Sequence, residues 1–251
     1  MDLGIEGRRA VVAASSAGLG LAAARALAAE GVRVAISGRD PERLLAAEQA
    51  LRDGGADVVA VQADLATPEG AAAMVDEAVD RLGGVDILVP NAGGPPAGTF
   101  ATTSVDAYRE ALDLNLLSSI AMCQQAVPVM QAAGWGRVVA ITSIGARQPI
   151  GRLIASSTAR AGVTSFLKVL ATEVAPDGVT VNSVQPGVHE TDRLGHLTAG
   201  DLAGLLADVP CGRLGDPADF GSVVAFLCSE HARFITGVGL PVDGGASRSL
   251  L

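Results

Sequence analysis

Short runs of β-branched residues alternate along this chain with longer Ala- and Leu-rich stretches whose apolar positions recur with a helical period. The short runs are continuously apolar, which is typical of strands covered by helices on both faces of a parallel sheet. Repetition of this pair is the sequence form of βαβ units. The pattern predicts seven strands, at Arg9–Ala14, Val32–Ser37, Asp57–Gln62, Ile87–Pro90, Val138–Thr142, Thr180–Val184 and Leu240–Val242.

Helices are predicted between these strands. Pro41 and Pro217 each follow an Asp, which is typical of a helix start. The segment Gly187–Asp216 is richer in Gly, Thr, Asp and His, and we interpret it as a lid or substrate loop with a short helix at Asp201–Asp208. Nothing indicates a domain boundary, so residues 1–251 are predicted to form one domain. The predicted helices are Gly18–Glu30, Pro41–Gly54, Pro68–Leu82, Val105–Ala133, Ala155–Val174 and Pro217–Ser229.

Composition excludes several classes of protein. With 49% hydrophobic and 18% charged residues, the chain is neither disordered nor collagen-like. A net charge of −9 and scattered basic residues argue against binding nucleic acid or an anionic membrane. No apolar run reaches the ~18 residues of a membrane-spanning helix. Met1–Arg9 lacks the apolar core of a signal peptide, so we expect a cytoplasmic protein whose three unpaired cysteines are reduced and bind no zinc.

One further count restricts the chemistry. The chain contains a single tyrosine, Tyr108, and a single lysine, Lys168. Any mechanism that needs a Tyr and a Lys side by side on one helix is therefore excluded.

A Gly-rich turn follows the first predicted strand and leads into a helix. Such a turn lets backbone N–H groups approach a pyrophosphate at the positive helix N-terminus, although alone it is equally typical of a simple tight turn. The predicted dinucleotide contacts here are Ser15, Ser16, Gly18, Leu19 and Gly20.

Later elements fall where a dinucleotide site needs them. Arg39 follows the second strand, where NAD enzymes place an acid, and its guanidinium suits a 2′-phosphate, so NADP is favoured over NAD. A solvated surface arginine is the simpler alternative. Asp64 and Leu65 follow the third strand, where the carboxylate is placed to accept from the adenine amino group. The small residues that follow the fourth strand, where the cofactor passes the sheet, are Asn91, Ala92 and Gly93.

Together these motifs resemble the short-chain dehydrogenase/reductase family over essentially the whole chain, with 3-oxoacyl-carrier-protein reductase-like proteins as the nearest resemblance. The matching pieces, in order, are Gly18-x-Gly20, Asp64-Leu65, Asn91-Ala92-Gly93, Asn115, Ser143, Asn182 to Gly187 with Thr191, and Ile235 to Gly237 leading to Val242–Gly245. The resemblance implies a single-domain, Rossmann-type, doubly wound α/β fold with strand order 3-2-1-4-5-6-7. It also implies an NADP(H) cofactor, with NAD(H) as the alternative, and a homodimer or homotetramer. The residues it implies beside the nicotinamide are Pro186, Gly187, Val188 and Thr191.

The chain departs from the family pattern at two places. The family's Thr-Gly pair in the first turn is Ala13-Ala14, which adds a methyl group where backbone normally approaches the cofactor. The family's catalytic Tyr-x3-Lys, counted from Ser143, is Ser156-x3-Arg160.

The second departure changes the proton chemistry. A serine hydroxyl is shorter and far less acidic than a phenol, so Ser156 needs a bridging water to reach a carbonyl placed for the Tyr. Arg160 keeps the positive charge and can bond ribose hydroxyls, but a guanidinium does not release its proton at ordinary pH, which excludes proton transfer. Ser143 is predicted to polarise a substrate carbonyl. Asn115 is predicted to hold a relay water, as the family uses it, with a local backbone kink as the alternative.

The remaining candidates are weaker. His189 opens the lid and titrates near neutral pH, so it is either a proton carrier or a solvent-exposed loop histidine. Tyr108 is interpreted as an interface or core residue, and Lys168 as a surface charge.

Three functions remain open. The first is an NADP-linked oxidoreductase acting on a carbonyl or alcohol, with a non-standard proton donor. The second is a dinucleotide-binding protein without turnover. The third is a dehydratase or isomerase in the same pocket, with His189 or Ser156 in the proton step. The substrate is not predicted.

Overall fold

A computed structural model describes residues 1–192, 194 and 202–250. Its seven parallel strands form one doubly wound sheet in the order β3-β2-β1-β4-β5-β6-β7, which confirms the predicted fold class and strand order. The predicted strand bounds are correct to within one or two residues. The strands are β1 (Arg9–Val12), β2 (Arg33–Gly38), β3 (Val58–Gln62), β4 (Ile87–Val89), β5 (Gly136–Ile141), β6 (Val179–Pro186) and β7 (Gly239–Val242).

Helices begin where the sequence provides caps. The Asp40 carboxylate accepts hydrogen bonds from the amides of Glu42 and Arg43, and Pro41 occupies the first turn. The short helix predicted at Asp201–Asp208 is present, although Asp201 lies outside the described residues. Within the described residues the α-helices are α1 (Gly18–Ala29), α2 (Pro41–Asp53), α3 (Pro68–Leu82), α4 (Val105–Leu112), α5 (Ser118–Ala133), α6 (Ile154–Val174), α7 (Leu202–Ala207) and α8 (Pro217–Cys228).

The long helix predicted over Val105–Ala133 is not one regular α-helix. A π-helical turn, Asp113–Leu117, separates α4 from α5. Asn115 lies inside this turn, fully buried, and its Nδ2 donates to the carbonyl of Gly93 at 2.8 Å. The π-helical turn brings the Asn115 side chain to the loop after β4. Single π-helical turns within α-helices are frequent at functional sites.

Two apolar layers enclose the sheet. Val11 and Leu88 pack on the side of α3, α5 and α6, whereas Val12 and Ile87 pack on the side of α1, α2 and α8. Neighbouring residues of a strand point to opposite faces, so continuous apolar runs are required when both faces are covered. Among the residues described, no helix is both long and apolar enough to cross a membrane.

Helices α1 and α8 approach each other closely. A Cβ atom on Gly221 of α8 would lie 2.4 Å from the carbonyl oxygen of Ala22 in α1. Since no side chain fits there, Gly221 permits the two backbones to touch. The alanines on the buried face of α1, Ala22, Ala23 and Ala24, extend this contact.

An ion pair joins β1 to the residue before β4 at the amino end of the sheet. The Asp86 carboxylate accepts from the Arg9 Nε at 2.8 Å, the Arg9 Nη2 at 2.9 Å and the Arg9 amide at 2.8 Å. Arg8 adds a longer contact at 3.7 Å. The Asp86 side chain is 5% exposed, so the carboxylate depends on these donors to replace water.

Candidate active site

The turn between β1 and α1 is fixed by serines on neighbouring strands. The Ser15 hydroxyl donates to the Val12 carbonyl at 2.6 Å and accepts from the Ser37 amide at 3.0 Å, and Ser15 is fully buried. Its side chain therefore joins β1 to β2 and does not face a phosphate, contrary to the sequence interpretation. The Ser37 hydroxyl accepts from the Ala14 amide at 3.0 Å, a contact that no sequence motif indicates.

The end of β4 clamps the same turn. The Asn91 Nδ2 donates to the carbonyls of Ala13 and Ala14, each at 3.2 Å. A Cβ on Gly20 would lie 2.4 Å from the Ala14 oxygen and 2.8 Å from this Nδ2, so the position requires glycine. Asn91 thus has a structural role that the sequence interpretation did not include.

The first amides of α1 are left available to a ligand. Ala17 occupies the N-cap position and supplies no side-chain hydrogen bond. The early amides of a helix have no partner within the helix, and together with the helix dipole they favour an anion. Gly18 and Leu19 begin the helix at this point, and Ser16 lies beside Gly38 of β2.

Ala14 adopts a left-handed backbone conformation, with φ of +46°. This is the position where the resembled family has glycine. A left-handed conformation costs a residue with a side chain about 1–2 kcal/mol.

We expect Ala14→Gly to raise the free energy of unfolding by about 0.5–1 kcal/mol, because the relieved strain exceeds the chain entropy lost by glycine. Urea unfolding monitored by circular dichroism measures the change. Ala50→Gly, on the exposed side of α2, is the matched control and should lower stability by about 1 kcal/mol. Equal losses in both variants would contradict the strain at Ala14.

Residues at the ends of β2 and β3 form the outer part of the groove. Arg39 follows β2 and is exposed. Asp64 is exposed and its Oδ1 accepts from the Ala66 amide at 3.1 Å, whereas Leu65 is buried. Arg43 on α2 pairs with Asp192 of the lid at 3.9 Å, a contact that sequence spacing does not indicate.

The residues after β6 lie against this groove. A Cβ on Gly18 would lie 3.8 Å from the Thr191 side chain, so Thr191 covers the Gly-rich turn. Gly187 is required because a Cβ there would lie 2.7 Å from that of Asp243. Pro186 ends β6 and Val188 follows Gly187. The rest of the predicted lid is only partly described, since residues 193 and 195–201 lie outside the described residues.

Ser143 lies at the carboxyl end of β5 and caps a short 3₁₀ turn, Ile144–Ala146. Its hydroxyl oxygen accepts from the Gly145 amide at 3.0 Å. The hydroxyl hydrogen is not needed for this contact, so Ser143 can still donate to a substrate oxygen.

Arg160 is held beneath the ends of two strands. It is 6% exposed, and its Nη1 donates to the Ile141 carbonyl at 2.9 Å, while its Nη2 contacts the Ala92 carbonyl at 3.4 Å. Its charge therefore lies between the carboxyl ends of β4 and β5. Ser156, one helical turn earlier on α6, is also buried, at 9% exposure.

A second serine on α6 lies close to Ser143. The Ser157 hydroxyl accepts from the Ile150 amide at 3.2 Å. A Cβ on Gly145 would lie 3.1 Å from the Ser157 oxygen and 3.2 Å from the Ser143 oxygen, so the two hydroxyls lie on the same side of Gly145. Ser157 was not singled out from the sequence, because only the fold of the loop after β5 brings it there.

Asn115 contributes an unsatisfied acceptor. Its Nδ2 is bonded to Gly93, but its Oδ1 has no partner within the described part of the chain. Both sequence interpretations of Asn115 stay compatible with this geometry, since it lies in a helix irregularity and also carries a free polar atom.

His189 is not a solvent-exposed loop histidine. It is 6% exposed, packs edge-on against the Phe220 ring at 5.1 Å, and its Nδ1 lies 3.4 Å from the Gly187 carbonyl. Burial lowers the pKa of His189 below its ordinary value, so the ring is neutral at pH 7. This packing argues against a proton-carrying role.

The single tyrosine and the single lysine of the chain are not among the side chains that form the candidate site. Tyr108 is half-buried on α4, and Lys168 is exposed on α6 with its Nζ donating to the Gly237 carbonyl at 2.9 Å. Among the described residues, no group of three or more His, Cys, Asp and Glu side chains is arranged to hold a metal ion.

Comparison with known proteins agrees with the geometry. A family model described as enoyl-(acyl carrier protein) reductase matches residues 13–247. The 3-oxoacyl-[acyl-carrier-protein] reductase of Aquifex aeolicus is 36% identical over 247 residues, covering 98% of this chain and 99% of the relative.

Two solved structures are informative for the site. L-sorbose reductase from Gluconobacter frateurii, complexed with NADPH and L-sorbose, superposes with a TM-score of 0.92 at 34% identity and full coverage of both chains. A short-chain oxidoreductase from Pseudomonas aeruginosa PAO1, described as containing an atypical catalytic center, has a TM-score of 0.89 at 34% identity, covering 96% of this chain and 98% of that one.

Proposed function

Because the chain belongs to the short-chain dehydrogenase/reductase family, we propose that it is an NADP(H)-dependent oxidoreductase acting on a carbonyl or alcohol, with a non-standard proton donor. The observation that carries the proposal is Ser143 at the carboxyl end of β5. Its oxygen accepts from the Gly145 amide, and this contact leaves the hydroxyl hydrogen available to a substrate oxygen. No phenol stands at Ser156 to supply the usual acid.

The residues present fit a dinucleotide. The uncapped amides at the start of α1 suit the pyrophosphate, and glycine at position 20 lets the β1–α1 turn close against the helix that bears them. The cofactor contacts in this proposal are Ser16, Gly18, Leu19, Gly20, Arg39, Asp64, Leu65, Asn91, Ala92, Gly93, Arg160, Pro186, Gly187, Val188 and Thr191. Bound there, NADPH supplies the hydride that reduces a carbonyl carbon.

The protein groups divide the remaining work. Ser143 donates a hydrogen bond to the carbonyl oxygen and stabilises the negative charge that develops on it. Arg160 stays charged at every working pH and stabilises the alkoxide by its field, without giving up a proton. Ser156 orders a water that delivers a proton to the alkoxide oxygen, and a second water, held by the unsatisfied Oδ1 of Asn115, passes a proton from bulk solvent to the first water. The product is the alcohol, and the reverse sequence oxidises an alcohol.

Turnover with a panel of aldehydes, ketones and quinones tests this function, with NADPH absorbance as the readout. We expect at least one substrate to be reduced and the product alcohol to be recovered. Tight NADPH binding by calorimetry with no turnover of any substrate would replace the proposal with a binding function, which the missing phenol at Ser156 favours. Cofactor-independent dehydration or isomerisation, with His189 or Ser156 in the proton step, would instead show as turnover that needs no NADPH and is lost in His189→Ala.

Arg39→Ala tests the choice of cofactor. We expect the preference for NADPH over NADH to fall about 10- to 100-fold, because a charge-assisted contact to the 2′-phosphate is lost. The ratio of kcat/KM for the two cofactors, or of their Kd values, measures this. Arg25→Ala, an exposed arginine on α1, is the matched control. An unchanged ratio in Arg39→Ala would contradict the role of Arg39.

We also propose that the chain is a homodimer or homotetramer. β7 is an edge strand, and two apolar residues at or near it are exposed: Phe234 fully and Leu240 by 38%. An exposed apolar edge favours pairing with another chain. Multi-angle light scattering of the purified protein tests this, and a monomer at micromolar concentration would contradict it.

Two smaller parts of the proposal concern the lid and the cell. We interpret residues 187–216 as the substrate loop, because they join the end of β6 to α8 beside the Gly-rich turn.

A cytoplasmic location is supported by the free thiols of Cys123 and Cys228, which are buried and whose pKa burial raises to about 12.

A further inference from the structure

A cavity of about 430 Å³ lies on the α6 face of β6 and β7, away from the dinucleotide groove. None of the residues that line it belongs to the site described above. Its size is within the range of small-molecule sites. Apolar side chains of α6, β6 and the residue before β7 form one part of its wall: Leu167, Val169, Val181 and Val238.

Two cations line the same cavity. The Lys168 Nζ donates to the Gly237 carbonyl at 2.9 Å, and the Arg147 Nη2 donates to the Gly239 carbonyl. These carbonyls are two residues apart, or about 7 Å along an extended chain, so the charges lie within roughly 12 Å of each other. Backbone oxygens fix each head group at the cavity.

Neither cation is neutralised. Within the described part of the chain, neither Arg147 nor Lys168 forms an ion pair with a carboxylate. The lysine has two N–H groups beyond the one on Gly237, and the guanidinium has four beyond the one on Gly239. Hydroxyls of Ser165 and Ser183 add further donors to the wall.

Glycine is required where the strand begins. Gly237 has φ of +70°, and a Cβ there would lie 2.9 Å from the Lys168 Nζ. A Cβ on Gly239 would lie 2.5 Å from the Gln185 Nε2. The absence of a side chain at Gly237 therefore leaves room for the Lys168 ammonium to reach the Gly237 carbonyl.

We propose that this cavity binds the carboxylate of a small aliphatic acid. A carboxylate matches the planar guanidinium fork of Arg147, and the ammonium of Lys168 supplies the second charge. The aliphatic body packs against the valine and leucine wall. A free phosphate suits the cavity less well, because it would need polar partners where the wall is apolar.

Calorimetry with hexanoate tests the site in the full-length protein, with and without NADPH. We expect one hexanoate per chain, no competition by NADPH, and binding at least tenfold weaker for the uncharged analogue 1-hexanol. Lys168→Gln and Arg147→Gln should each weaken hexanoate binding about 10-fold or more, because a charge-assisted hydrogen bond is lost. Arg25→Gln should leave it unchanged.

Because Lys168 is exposed, Lys168→Gln and Lys168→Glu are expected to fold as the wild type does, so a loss of hexanoate binding in either variant reports on the site. Both should bind NADPH as the wild type does. Three results would overturn the proposal: no hexanoate binding to the wild type, displacement of hexanoate by NADPH, or equal binding by wild type and Lys168→Glu. A change in molecular mass of Lys168→Glu without hexanoate binding to the wild type would instead assign the cavity to contact between copies of the chain.

Discussion

Ser143→Ala is expected to lower kcat by about 100-fold or more while changing KM much less, because the lost hydrogen bond strengthens only as charge develops on the substrate oxygen. Steady-state kinetics with any substrate that the carbonyl panel identifies measure the two constants. The substitution should lower the free energy of unfolding only slightly, since the removed hydroxyl accepts a single hydrogen bond, from the Gly145 amide of a short 3₁₀ turn.

Ser222→Ala is a suitable control for this experiment. Its hydroxyl donates to a carbonyl within α8, and the residue is exposed. Its kinetics should match the wild type. A wild-type kcat in Ser143→Ala would exclude Ser143 as the group that polarises the substrate, and the proton relay through Ser156 and Arg160 would then lose its starting point.

The second large effect concerns stability. Asp86→Ala is expected to lower the free energy of unfolding by about 3 kcal/mol, because it leaves the partly buried Arg9 guanidinium and the Arg9 amide without their acceptor. Chemical denaturation at pH 7 measures the loss. Asp57→Ala is the matched control, since the Arg33–Asp57 pair is exposed and should contribute less than about 1 kcal/mol. Equal losses in the two variants would contradict the special role of Asp86.

The pH dependence of this difference follows from the pKa of Asp86. Burial alone would raise that pKa, but the hydrogen bonds and charge of Arg9 outweigh burial and hold it below the ordinary value of 3.8. The charged carboxylate is therefore the form that stabilises the fold. Its contribution is fully present above about pH 3.8 and is lost as the pH falls through the lower value in the folded protein. The wild type and Asp86→Ala should converge in stability on acidification, and a gap that widens in acid would contradict this sign.

Much of the fold could be predicted because it depends on local patterns. Continuous apolar runs identify strands covered on both faces, and the Asp-Pro pairs at Asp40 and Asp216 mark helix starts by hydrogen bonds that span a few residues. The helix over Val105–Ala133 was predicted without its π-helical turn. That turn accompanies a hydrogen bond from Asn115 to Gly93, and sequence periodicity contains no information on such a distant partner.

The candidate site was predicted in part for the same reason. Motif spacing located Ser143 just after a strand and Arg160 on the following helix, and the structure has them after β5 and on α6, because both positions follow from local register. The use of each polar atom depends on tertiary contacts. The Ser15 hydroxyl is hydrogen-bonded to the Val12 carbonyl and to the Ser37 amide. His189 packs against Phe220, which is not a neighbour in the sequence.

The close contact between Gly221 and Ala22 has a mechanical consequence. With no side chain between them, α1 and α8 are expected to move together as one rigid unit, because their backbones are in direct contact. The Gly18–Gly20 turn lies at the start of α1, and the loop that follows β6 leads into the start of α8. A displacement of that loop at Asp216 is therefore expected to reach the Gly18–Gly20 turn through the contact between the two helices, although β4 and β5 separate β6 from β1 in the sheet.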